Sequence, residues 1–123
     1  MRVLVVDDRK EVRERLVSLL RDVRPEVLFF EASTTSAALR AFHAHRPDVV
    51  LLDIHLREAS GLDLLPRLKE RVPPPTVCVM TSHPTAQHLR ASREAGADLF
   101  VDKSKEFTLL VDLIVTAAKA HGG

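Results

Sequence analysis

The sequence contains no tryptophan and no tyrosine, a single cysteine, four glycines and five phenylalanines. With aromatics this scarce, any core must rest mainly on Leu, Val and Ala. The lone Cys78 has no partner for an internal disulfide, which fits a reducing compartment. Neither sign of charge is in excess. The 18 basic and 17 acidic residues leave a formal net charge of +1, which makes no electrostatic case for direct binding to nucleic acid or to a membrane surface. No apolar run approaches the ~18 residues that a bilayer-spanning helix requires. The opening, Met1 to Asp8, is too short and too soon acidic to read as a secretory leader. The expected location is therefore the cytoplasm.

What the 123 residues do contain is an apolar content of 46% beside 28% charged residues, the balance of one globular domain. We place that domain over residues 1–120 and read 121–123 as a tail. Short apolar runs alternate with amphipathic stretches five times. Val3 to Val6, Val27 to Phe30, Val49 to Leu52, Thr76 to Met80 and Leu99 to Val101 read as strands, brief enough to be buried on both faces. Between Lys10 and Val23, apolar residues at Val12, Leu16, Leu19, Leu20 and Val23 mark one face of a helix that Pro25 ends. A small-residue helix around Ala37 to Ala44 stops before Pro47. A third helix carries Leu62, Leu65, Leu68 and Val72 up to the Pro73-Pro74-Pro75 run. A fourth lies between Pro84 and Gly96, with Leu89 its one large apolar residue, and the last carries Phe107, Leu110, Val111, Ile114 and Ala118. Alternation of this kind implies βαβ crossovers and an α/β fold with a mainly parallel sheet covered on both faces.

In open parallel sheets, ligands bind outside the carboxyl ends of the strands. Polar groups recur there: Asp7 and Asp8 after the first strand, Asp53 after the third, Thr81 and Ser82 after the fourth, Lys103 after the fifth. Any one of these alone reads as a solvated turn residue, but four strand ends carrying such groups point to a site. Crowded carboxylates repel, and a hard divalent cation such as Mg²⁺ relieves that repulsion. An Asp carboxylate can serve as nucleophile in phosphoryl transfer, with Lys103 supplying positive charge and Thr81 a hydroxyl hydrogen bond. Elsewhere the plainer readings prevail. His43 and His45 lie two apart on a helix and cannot share a face. Cys78 reads as a packed small hydrophobe, and Arg13, Arg15 and Arg21 as a solvated helical face.

These residues, in this order, resemble the receiver domains of two-component response regulators. Val3-Leu4-Val5-Val6-Asp7-Asp8 is similar to the family's first strand and acidic pair. Asp48 to Leu56 followed by Ser60 to Leu65 resembles its phosphorylation segment, Val79-Met80-Thr81-Ser82 its switch-hydroxyl strand, and Ala95 to Asp98 with Phe100 to Lys103 its final strand and lysine. The resemblance runs from residue 2 to about 118. It implies a flavodoxin-like, doubly wound sheet of five parallel strands in the order 2-1-3-4-5 with five helices. It further implies Asp53 as phosphoacceptor, with Mg²⁺ held by Asp8, Asp7, Asp53 and the backbone carbonyl of His55. Thr81 and Phe100 would be the switch pair, and Lys103 would pair with phosphate. The phosphoryl donor would be a sensor histidine kinase, a histidine phosphotransfer protein or a small donor such as acetyl phosphate. The output, an appended domain or a separate protein, would be reached through the fourth helix, fifth strand and fifth helix.

Three departures from the family pattern stand out. Arg57 occupies the position of a usual proline, and Ser104 follows Lys103 where a cis-proline is common. A trans bond is expected there, because a non-proline cis bond costs ~3 kcal/mol. The expected consequence is either a different placement of the lysine ammonium or a looser loop after it. His55 and His83 flank the acceptor pocket, at positions that influence how long the phosphoryl group lasts. A phosphatase turning over through an aspartyl phosphate is disfavoured by adjacent Asp7-Asp8 in place of Asp-x-Asp. A nucleotide-binding module is disfavoured by Asp7-Asp8-Arg9-Lys10 where a glycine-rich loop would stand. The expected role is therefore that of a signalling module, not an enzyme acting on other molecules. The alternative is a degenerate receiver that binds partners without phosphorylation.

Overall fold

Five strands lie side by side in the order β2-β1-β3-β4-β5, every pairing parallel. They are β1 (Arg2–Val6), β2 (Leu28–Ala32), β3 (Val49–Asp53), β4 (Thr76–Thr81) and β5 (Leu99–Asp102), and the helices between and after them are α1 (Lys10–Val23), α2 (Thr35–His45), α3 (Leu65–Lys69), α4 (Ala86–Glu94) and α5 (Phe107–Gly122). The computed structural model describes residues 1–57 and 59–122, the side chains of 121 and 122 excepted, so part of the expected tail at 121–123 lies outside the described residues.

Side chains on a strand alternate between faces, and here both faces are apolar. Val3, Val5, Val49, Leu51, Cys78 and Met80 pack on one side against Leu16 and Leu20 of α1 and Leu110 and Ile114 of α5. Leu4, Val6, Val50, Leu52, Val77 and Val79 pack on the other against Ala38 and Phe42 of α2 and Leu65 and Leu68 of α3. This is why β3 reads as five consecutive buried residues with no alternation. Truncating Leu65 or Leu68, both fully buried, to Ala would cost about 3 kcal/mol.

α1 occupies the span its periodicity marks. The second strand begins at Leu28 and continues through Glu31 and Ala32, beyond the apolar run that announced it. The register explains the extension: Val5 and Val6 of β1 pair with Glu31 and Ala32, and backbone pairing with a neighbour does not require apolar side chains. The third helix is shorter than its apolar spacing implies. A 3₁₀ turn at Gly61–Asp63 leads into α3, which ends at Lys69, and Val72 lies outside it, 86% exposed. Pro73 disfavours helical geometry at the residue before it, and Pro66 is tolerated only because it falls in the first turn.

α4 starts at Thr85, whose side chain accepts a hydrogen bond from the His88 amide, and its one buried residue is Ser92. Its apolar anchoring is thus as slight as its composition implies. No helix among the described residues is long and apolar enough to cross a membrane.

Candidate functional site at the strand ends

Because all five strands run the same way, their carboxyl ends share one edge of the sheet. Asp7 and Asp8 follow β1, Asp53 ends β3, Thr81 ends β4 and Lys103 follows β5. The register sets Asp53 level with Met80, and Thr81 level with Asp102. A hollow of about 120 Å³ opens there, walled by Asp8, Asp53, His55, His83 and Lys103. A larger hollow of about 380 Å³ between α1 and α5, walled by Val12, Leu16, Leu19 and Phe107, touches Lys103 but neither Asp8 nor Asp53, so it is not the acidic site.

Lys103 Nζ donates to Asp7 Oδ2 at 2.6 Å and to Asp53 Oδ2 at 3.0 Å, and all three side chains are almost completely shielded from water. Asp7 is further fixed by the Arg9 amide, which donates to its Oδ1 at 2.9 Å. The His55 amide donates to Asp53 Oδ1 at 3.0 Å. Burial pushes the Asp53 carboxyl above its ordinary range and the Asp7 carboxylate adds to the rise, while the His55 amide and the Lys103 ammonium oppose it.

One carboxylate oxygen each from Asp7, Asp8 and Asp53 lie within 4.8 Å of one another. Such a set of hard oxygen donors fits Mg²⁺. Asp7 and Asp53 are already engaged by Lys103, whereas Asp8 is half-buried and makes no hydrogen bond or ion pair with the described residues. Asp8 is therefore the carboxylate most available to a cation, with Asp7 in a supporting position.

Of the remaining expected site residues, His55 and His83 line the hollow, whereas Thr81 and Phe100 lie outside its lining. Thr81 is fully buried, and its Oγ1 accepts the His83 amide at 3.1 Å. His55 and His83 line the hollow from opposite loops and are exposed. Phe100 is half-buried, packed against the α2–α3 face of the core. Arg57 lines an adjacent hollow with Asp8 and His55.

The bond after Lys103 is trans; among the described residues the cis peptide is Val72–Pro73. Hydrogen bonds tie the loop that follows to the end of β5. Asp102 Oδ1 accepts both the Ser104 amide at 2.9 Å and the Ser104 hydroxyl at 2.6 Å, and Glu106 Oε1 accepts the Asp102 amide at 3.0 Å. The Ser104 hydroxyl above all holds the Asp102 carboxyl below its ordinary value.

Four contributors escaped the sequence reading. Gly61 lies so close to Asp53 that a Cβ there would fall 2.2 Å from the Asp53 carbonyl oxygen. Asp102 pins the lysine loop. His88 of α4 meets His55 edge-on, ring centroids 5.1 Å apart, with its Nδ1 buried and unpartnered. Arg13, read as part of a solvated face, is only 14% exposed and donates to the Asp7 carbonyl and to Glu31. A polar residue at a helix's first turn beside an acidic loop was the available signal for Arg13; Gly61 and Asp102 lay within the segments that carry the family resemblance, and His88 had no signal. The plainer readings of His45 and Cys78 are consistent with the packing. His45 stacks on Phe30, and burial pushes the Cys78 thiol up to about 12, leaving it inert.

A family model for the response regulator receiver domain matches residues 3–115. The DNA-binding transcriptional activator DevR/DosR of Mycobacterium tuberculosis is 34% identical over 104 residues, which are 84% of this chain and 48% of that protein. The positive alginate biosynthesis regulatory protein of Pseudomonas aeruginosa is 42% identical over 84 residues, 68% of this chain and 34% of its own length. The chain thus spans half or less of these two curated relatives. The solved signal receiver domain of a DNA-binding response regulator from Colwellia psychrerythraea superposes with a TM-score of 0.90 at 26% identity, covering 97% of this chain and 98% of that one. Matched along most of its length and sharing the strand order that a receiver requires, the chain belongs to the response regulator receiver domains of two-component systems.

Proposed function

We propose that the chain accepts a phosphoryl group on Asp53, with Mg²⁺ at Asp8, Asp7, Asp53 and the His55 carbonyl, and changes conformation in response. The observation that carries this reading is the shielded Lys103 ammonium held between Asp53 and Asp7, beside an Asp8 carboxylate that has no partner among the described residues. A carboxylate oxygen of Asp53 attacks the phosphorus of a phosphohistidine or a small acyl phosphate. The new O–P bond forms as the bond to the donor breaks, and the donor's imidazole or carboxylate leaves with the electron pair. Bound Mg²⁺ would neutralise charge on the transferring oxygens. Lys103, released from Asp53 once that oxygen is esterified, would pair with the phosphoryl group, and Thr81 would donate its hydroxyl to it.

The chain would thus catalyse only its own modification, serving a sensor kinase or phosphotransfer protein in the cytoplasm. The output surface would be the α4-β5-α5 face, where α4 has a single buried residue and Phe100 is half-buried, as a responsive element requires. The test is intact mass after incubation with Mg²⁺ and acetyl phosphate. A labile gain of about 80 Da, absent in Asp53→Ala, supports the reading. No adduct with acetyl phosphate or with a phosphorylated kinase, together with no beryllofluoride binding, would overturn it in favour of a partner-binding receiver that is not phosphorylated.

A further inference from the structure

Arg13 is one of three arginines on α1 that composition assigns to solvent, yet its side chain is 14% exposed while Arg15 and Arg21 are open to water. Its Nη1 donates to the backbone carbonyl of Asp7 at 2.7 Å, and its Nε donates to Glu31 Oε1 at 3.2 Å. A guanidinium is planar and presents several N–H groups at fixed angles, so it can grip a carbonyl at the end of β1 and a carboxylate on β2 together.

The carbonyl it grips matters. That oxygen lies in the peptide plane joining Asp7 to Asp8, and the plane is rigid. Holding the oxygen sets the direction in which Asp8 leaves the chain. The Asp7 amide, on the other side of the residue, is held by the Ala32 carbonyl at 3.1 Å, and the Asp7 carboxylate by Arg9 and Lys103. Asp8 has no side-chain partner among the described residues, so the aim of its carboxylate depends on that backbone.

We infer that Arg13 is a positioning residue for the cation site: by gripping the Asp7 carbonyl it pre-sets Asp8 for Mg²⁺. The inference rests on the Mg²⁺ reading above and goes beyond it by adding a residue that touches neither metal nor phosphate. Its neighbour Glu31 separates two explanations. Glu31→Gln removes the ion pair but leaves the carbonyl grip, whereas Arg13→Ala removes both.

The test is Mg²⁺ titration by calorimetry, joined to amide hydrogen exchange on the Mg²⁺-free chain. Arg13→Ala is expected to weaken Mg²⁺ binding about tenfold, the size of effect seen when outer partners of a metal site are lost. It should also speed exchange at the Asp7 and Arg9 amides while leaving those of Leu16 to Leu20 unchanged. Glu31→Gln should stay within about twofold of wild type. Wild-type affinity in Arg13→Ala would overturn the inference, as would an equal loss in Glu31→Gln, which would make Arg13 a simple clamp between α1 and β2. Should Arg13→Ala fail to fold, Arg13→Met reads the same quantity: it keeps the apolar stem but has no donor for the Asp7 carbonyl, and undiminished affinity in a folded Arg13→Met would refute the role. If wild type itself binds no Mg²⁺, the cation reading fails and the inference with it. The exchange data, which need no metal, still show whether Arg13 orders the acidic turn.

Discussion

Lys103 Nζ lies 3.0 Å from Asp53 Oδ2, a contact between residues 50 positions apart that exists only because β3 and β5 deliver their carboxyl ends to the same edge. The same ammonium holds Asp7 at 2.6 Å. Lys103→Ala would leave two buried carboxylates without their cation, so a loss of about 3 kcal/mol in unfolding free energy is expected. Urea denaturation followed by circular dichroism measures it; with neither Trp nor Tyr in the chain, intrinsic fluorescence offers little signal. Millimolar Mg²⁺ should restore part of the loss. Unchanged stability in Mg²⁺-free buffer would show that the pair is not formed in solution.

The Asp53 carboxyl, raised mainly by burial, binds a proton more tightly in the folded chain than in the unfolded one. Its charged form therefore costs stability at neutral pH, and the cost is relieved as pH falls through the raised value toward the ordinary 3.8. Asp53→Asn removes that cost. Its melting temperature in Mg²⁺-free buffer should exceed that of wild type at pH 7 by a few degrees, and the gap should narrow toward pH 4. A less stable Asp53→Asn at pH 7 would mean that the Lys103 attraction outweighs desolvation.

Asp8 is the site carboxylate without a partner among the described residues, so it should govern cation affinity with little effect on the fold. At ten times its dissociation constant, Mg²⁺ should stabilise wild type by about 1.4 kcal/mol. Asp8→Asn should lose most of that increment while unfolding at nearly the wild-type point without metal. Thermal melts with and without MgCl₂ decide the matter. An undiminished shift in Asp8→Asn would move the cation elsewhere.

Gly61 cannot carry a side chain without moving the end of β3. Its Cβ would meet the Asp53 carbonyl oxygen at 2.2 Å, the Asp53 carbonyl carbon at 3.1 Å and Ile54 Cα at 3.2 Å, all of them backbone atoms that cannot step aside. Gly61→Ala should cost about 3 kcal/mol. In the fraction that folds, phosphorylation by acetyl phosphate should slow by on the order of tenfold, since the nucleophile is displaced. Wild-type stability and rate would show that the loop has room that its geometry denies.

How much of this was legible beforehand depended on which forces are local. The five-residue buried run ending in Asp53 announced β3, because a strand covered on both faces needs apolar side chains on both. α1 was legible to the residue from its apolar spacing. Val72 misled, because an apolar residue at helical spacing says nothing of the Pro73 that follows it. The loop after Lys103 was legible only as one without its usual proline; the hydrogen bonds from Ser104 to Asp102 depend on turn geometry that the sequence leaves open.

The sequence by itself determined the class of fold and the chemical types at each strand end, since hydrophobic period and turn residues act over a few neighbours. It also contained the order of acidic pair, aspartate, hydroxyl and lysine by which the family is recognised. Only the tertiary structure decided that Lys103 spans Asp7 and Asp53, that Gly61 must be bare beneath the acceptor, that His88 leans on His55, and that Arg13 turns inward to the Asp7 carbonyl. Each is a contact between distant segments. Its geometry is set by how strands and helices pack, and no local preference of the residues involved encodes it.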